Sequence, residues 1–120
     1  MNTVRKLALD VINEVLNNGA YSNLLLSETI KDNSLNNKDK RLLTELVYGT
    51  IQYKMTLDYY INQFIGEKKI KNRVRNILRM AFYQKIYLDK IPDFAIINEA
   101  VELTKISDME SSSLVNAVLR

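Results

Sequence analysis

The chain has no cysteine and no histidine among its 120 residues. Without cysteine there is no disulfide framework and no thiolate nucleophile. Without histidine as well, the commonest general base and nearly all transition-metal sites are gone. Three glycines and one proline are too few for the many turns of an all-β fold, and Gly19, Gly49 and Gly66 stand too far apart for a phosphate loop or a dinucleotide fingerprint. No apolar run approaches the ~20 residues that span a bilayer, and Met1–Asp10 mixes charge with apolar residues as a helix does rather than a signal peptide. A cysteine-free chain of this kind is expected in the cytoplasm, with no membrane partner. Glu45, Glu99 and Glu102 remain as acids, but on predicted helices such carboxylates far more often cap, pair or face water than catalyse. Binding is therefore expected of this chain, with no catalytic, cofactor-binding or metal-binding residue.

What is present is apolar residues at helical spacing. A chain of this length, 47% hydrophobic and 26% charged, fits a single domain over residues 1–120 that can bury its own core. Val4, Leu7, Ala8, Val11, Ile12, Val15 and Leu16 recur three or four apart and predict a first helix over about 3–17, stopped by Asn17, Asn18 and Gly19. Ser22 is placed to cap a second helix to about residue 31, with Leu24, Leu25 and Thr29 inward. Asn36 and Asp39 mark the start of a long third helix carrying Leu43, Leu46, Val47 and Ile51. Leu57, Ile61, Phe64 and Ile65 form a fourth stripe ended by Gly66. A fifth helix over about 70–88 buries Val74, Ile77, Leu78 and Ala81 and is expected to be central. Pro92 forbids its continuation and opens a sixth helix over about 93–105, with Phe94, Ile97, Ala100 and Val101 inward. Ser107 and Glu110 have the spacing of a capping box for a seventh helix with Leu114, Val115, Val118 and Leu119. That helix meets no stop signal before Arg120, so the sequence is expected to end short of a natural terminus.

Charge is unevenly placed. The stretch 67–90 carries eight cations (Lys68, Lys69, Lys71, Arg73, Arg75, Arg79, Lys85, Lys90) against Glu67 and Asp89, a local +6 in a chain of +3. Lys71, Arg75 and Arg79 recur every four residues and so line one side of the fifth helix, where they can meet successive phosphates or form a solvated face. Seven tyrosines offer rings for base stacking. Tyr48, Tyr53, Tyr59, Tyr60, Tyr83 and Tyr87 fall inside predicted helices, where such rings more often edge a core, and Tyr21 is the freest.

Several stretches recur together in a familiar order: Gly19-Ala-Tyr-Ser-Asn-Leu24, Leu43-Thr-Glu-Leu-Val-Tyr-Gly-Thr50, Ile91-Pro92, Ile97-Asn-Glu-Ala-Val101 and Val115-Asn-Ala-Val-Leu-Arg120. Over essentially the whole chain they resemble the N-terminal domain of RsmB/Sun-type ribosomal RNA (cytosine-C5) methyltransferases. The resemblance implies an all-α, NusB-like helical bundle of about seven helices that holds small-subunit ribosomal RNA. It also implies a C-terminal methyltransferase domain in the same parent chain, where S-adenosylmethionine is bound and a cysteine attacks the cytosine. None of that catalytic chemistry is present here. By the same resemblance the RNA contacts are expected at Lys71, Arg73, Arg75 and Arg79, supported by Lys68 and Lys69. Gly49, Asn98 and Asn116 have a plain structural reading, Gly49 letting helices approach closely and the two asparagines bonding across helix junctions. A free-standing NusB-type transcription antitermination factor shares the fold and is the alternative; a helical protein-interaction domain is the third class.

Overall fold

A computed structural model describes residues 3–120. All regular structure among these residues is helical: α1 (Val4–Asn18), α2 (Ser22–Asn33), α3 (Asn37–Gln52), α4 (Lys54–Ile65), α5 (Asn72–Tyr87), α6 (Asp93–Asp108) and α7 (Ser112–Leu119). The expected count of about seven is slightly off. The 3-10 turn Met109–Ser111 joins α6 to α7 with no intervening loop, so six helical segments are separated by non-helical residues among those described. The chain divides into two compact units, Met1–Gln52 and Tyr53–Arg120.

In the first unit α1 packs on α3 and α2. The middle of the predicted stripe is buried, Leu7, Ala8, Val11 and Ile12, with Leu43, Leu46 and Val47 of α3, while Val4, Val15 and Leu16 are half-buried and Leu9, outside the predicted stripe, is wholly enclosed. Each fully buried Leu, Ile or Val among them contributes about 1.5–3 kcal/mol by leaving water. The surface pair Lys6–Asp10, at 2.7 Å, adds only about 0.3–0.5 kcal/mol, so apolar burial decides this packing. Thr3 caps α1, its hydroxyl accepting from the Lys6 amide at 3.1 Å. Gly19 ends the helix at φ 73°, ψ 19°, the left-handed conformation that its sequence position anticipated. Ser22 is the first residue of α2 rather than its cap; Tyr21 holds that place and makes no capping bond through its side chain. Leu26 is buried on α2 while Leu24 is 60% exposed, which moves the inward face from the one expected.

In the second unit α5 packs against α4, α6 and α7. Enclosure on three sides buries every residue from Asn76 to Gln84, as a helix surrounded by helices requires. Polar side chains caught inside are satisfied locally: the Gln84 amide donates to the Met80 carbonyl at 3.1 Å, and Thr104 donates to Ala100 at 2.7 Å. The Ser107–Glu110 capping box does not form. α6 runs on past Ser107 to Asp108, and the Ser107 hydroxyl instead accepts from Arg73 Nε at 2.7 Å. Phe64 and Phe94, expected inward, are exposed, Phe64 leaning on Phe82 at 5.9 Å between ring centroids.

Candidate nucleic-acid interface

The six cations singled out in the sequence lie between Lys68 and Arg79, and the structure separates them by depth. Gly66 ends α4 at φ 60°, ψ −129°, a conformation open to glycine, with its amide donating to the Asn62 carbonyl. The chain then turns outward, the Lys68 amide closing on the Ile65 carbonyl, and leaves Lys68 and Lys69 exposed. Lys71 sits in extended conformation at the N-cap of α5, with its side chain 72% exposed. Its ammonium lies 3.5 Å from Asp108, with the lysine end of the pair open to solvent and free to meet another anion. The first amides of a helix lack partners within it, so at this same end of α5 the helix dipole favours negative charge.

Further along α5 the arginines turn to structural work. Arg73 reaches Ser107 at the end of α6. Arg75 Nη1 donates to Asp58 at 3.3 Å and to the Asn62 amide oxygen at 3.2 Å. Arg79 is buried, 7% exposed, with Nε and Nη2 donating to the two Asp58 oxygens at 2.7 and 2.9 Å and Nη1 to Asn76 at 2.7 Å. Burial by itself pushes the Asp58 carboxyl up. The hydrogen bonds and charges of Arg79, and then of Arg75, outweigh it and hold this group below the usual carboxylate range. The row Lys71, Arg75, Arg79 expected to face phosphates is therefore not a uniform outer face. A guanidinium inside a helical unit needs its counter-charge beside it, and Asp58 supplies it from α4. Lys85 is also engaged, donating to the Leu119 carbonyl at 3.0 Å.

Two further expectations change. Asn98 and Asn116 do not bridge helix junctions; they line an open polar groove of about 300 Å³ together with Glu102, Lys105 and Ser112. Asn116 accepts from Arg120 of its own helical end, at 3.2 Å. Gly49 is buried on α3, in keeping with a packing role. Sequence reasoning passed over Asp58 and the tyrosine stack formed by Tyr53, Tyr83 and Tyr87. Asp58 did leave a signal, being the single acid on α4.

Residues 2–120 match the NusB family profile. The chain belongs to the NusB family. Among its relatives, "Probable ribosomal RNA small subunit methyltransferase B" of Bacillus subtilis (strain 168) is 49% identical over 120 residues. The match takes in 98% of this chain and 27% of that protein, so the chain spans about a quarter of the relative's length. "Transcription antitermination protein NusB" of Bacillus velezensis is 38% identical over 86 residues, covering 68% of this chain and 66% of that one. The solved structure of antitermination factors NusB and NusE in complex with double-stranded RNA superposes with a TM-score of 0.84 over 97% of this chain and 89% of the other. At 23% identity that likeness establishes the NusB fold.

Proposed function

We propose that residues 1–120 act as one NusB-like, RNA-binding domain that holds small-subunit ribosomal RNA for an S-adenosylmethionine-dependent cytosine-C5 methyltransferase domain of the same parent polypeptide, in the cytoplasm. The observation that carries this reading is the 49% identity, along almost the whole chain, to a protein named as a ribosomal RNA methyltransferase and several times longer. The contact surface proposed is the exposed start of α5, where Lys68, Lys69 and Lys71 meet phosphates and Arg73 sits just behind. Arg75 and Arg79 hold α4 against α5 beneath that surface.

S-adenosylmethionine does not fit the residues present. Among the described residues there is no strand, hence no strand-to-helix glycine loop to receive the nucleoside. The cofactor is assigned to the methyltransferase domain, and no step of its chemistry is routed through this chain.

A second reading, a free-standing transcription antitermination factor, is favoured by the 38% identity to the Bacillus velezensis NusB, of which the match covers two thirds. Sequencing beyond codon 120 separates the two: a glycine-rich, cysteine-containing continuation supports the methyltransferase, and an early stop supports the regulator. Titration of the chain with a helical segment of small-subunit ribosomal RNA at several salt concentrations tests the binding itself. Binding is expected to weaken as salt rises. The paired change Lys68→Gln with Lys69→Gln is expected to lower the logarithmic salt slope by about one for each phosphate that these lysines neutralise. Salt-insensitive binding, or none, overturns the reading.

A further inference from the structure

Two stripes at four-residue spacing face each other across the α4–α5 seam. Lys54, Asp58 and Asn62 follow one another along α4; Arg75, Arg79, Tyr83 and Tyr87 follow along α5. Their contacts fix the register. Asn62 meets Arg75, Asp58 meets Arg79, and Tyr53 meets Tyr83 and Tyr87, so residue numbers rise on one helix as they fall on the other and the helices run antiparallel. One end of the seam is thus aromatic, its middle is charged, and its other end opens at Gly66 toward exposed Lys68 and Lys69.

The charged middle is not balanced. Asp58 is the one carboxylate among three cations, and Arg79 takes both its oxygens from the buried side. Arg75 at 3.3 Å and Lys54 at 3.9 Å stand at its edges, Lys54 with 41% of its side chain exposed. After Arg79 has neutralised Asp58, two positive charges remain along the rim. At the aromatic end the Tyr53 and Tyr87 rings lie 4.4 Å apart between centroids and 14° from parallel, with Tyr83 behind at 5.3 Å from Tyr87. Tyr83 is buried and Tyr87 is 37% exposed, so the stack runs from the interior out to solvent. From Tyr53 to Asn62 the seam extends about 14 Å along α4, enough for a few nucleotides.

We propose that this seam seats an unpaired RNA segment, one base continuing the Tyr53–Tyr87 stack and the adjoining phosphates held by Lys54 and Arg75. The proposal rests on the RNA-binding reading and specifies the form of RNA taken. A base inside a duplex is already stacked on both faces, whereas an unpaired base offers its face to an aromatic ring. Phosphates meet the net positive charge that one carboxylate leaves on this rim, reaching Lys54 and Arg75 from the solvent side while both keep Asp58 beside them. The exposed lysines beyond Gly66 continue the same track.

Fluorescence anisotropy of the 120-residue chain with a short labelled oligoribonucleotide, alone and annealed to its complement, provides the test. The unpaired strand is expected to bind more tightly than the duplex. Tyr87→Leu is expected to weaken unpaired binding by about tenfold and erase that preference. Lys54→Gln is expected to lower the salt slope by about one while keeping the preference. Ultraviolet crosslinking of the unaltered chain is expected to map to Tyr53 or Tyr87. The proposal is overturned if Tyr87→Leu, melting as the parent does, retains affinity and preference, or if crosslinks fall only elsewhere. Binding that depends on Lys68 and Lys69 but ignores Tyr87 and Lys54 overturns this site alone. Absence of salt-sensitive binding to any RNA overturns the site and the RNA-binding reading together.

Discussion

Replacing Asp58 by asparagine keeps the shape of the side chain and removes the charge that faces Arg79. The guanidinium then stays buried with an amide group where a carboxylate oxygen accepted its fork, and one donor is set against another. Removing one partner of a buried ion pair typically costs about 3–5 kcal/mol. The Asp58 side chain keeps 22% exposure, and solvent reaching it lowers the expected cost to about 2–4 kcal/mol. For a domain of this size, about 4 °C per kcal/mol translates that into a fall of about 8–16 °C in melting temperature, read by far-ultraviolet circular dichroism. Arg79→Met is expected to cost less, because the carboxylate it leaves still has Arg75 and Lys54 beside it. The double change Asp58→Leu with Arg79→Met is expected to recover much of the stability, since apolar pairs of similar volume often replace buried ion pairs at little cost. The pH dependence has a definite sign. The Asp58 pKa is depressed in the folded state, so its stabilisation is full above the unfolded value of ~3.9 and disappears as pH falls through the folded value. The gap between the parent and Asp58→Asn is therefore expected to be flat from neutral pH to about 5 and to close below about 4. A melting temperature for Asp58→Asn within about 2 °C of the parent at neutral pH would refute the claim that this pair holds α4 on α5.

Gly66→Ala is expected to destabilise by about 1–3 kcal/mol in a thermal melt, through backbone strain alone, because no atom lies within 4 Å of the added Cβ. Gly19→Ala, in the ordinary left-handed region, should cost about 1–2 kcal/mol, and Gly19→Asn should recover most of that. Thr3→Ala removes the oxygen that accepts from the Lys6 amide and is expected to cost about 1 kcal/mol. Lys68→Gln with Lys69→Gln should leave the melting temperature unchanged, as fits exposed side chains, while weakening RNA binding.

How much could be read in advance depended on the range of the interaction. The stop at Gly19, the break at Pro92 and the apolar stripes of α1, α3 and α5 arise from neighbours a few positions away, and the structure follows them closely. The Ser107–Glu110 pattern is equally local, yet α6 continues through it, because Ser107 has a partner 34 positions away in Arg73. Leu24, Phe64 and Phe94 obey helical spacing and still face out, since which side of a short helix is covered depends on its neighbours. The candidate site divides in the same way. That Lys68 and Lys69 would be exposed follows from two adjacent cations just past a helix-ending glycine. Arg79 deceived the spacing argument, although its place between Leu78 and Met80, in a run apolar on every side, carried the hint of an enclosed helix.

By itself the amino-acid sequence determined that this chain is helical, roughly where each helix starts and stops, and that positive charge is concentrated between residues 67 and 90. Those properties are set by backbone preferences and side-chain spacing within one or two turns. Tertiary structure alone decided which of the cations meet water and which meet a carboxylate. It also joined Tyr53 to Tyr87, 34 positions further on, into one stack. The reason is physical: a charge is expressed at the surface or consumed in the interior according to what the opposing helix brings to it, and no local pattern on α5 specifies that Asp58 will be there.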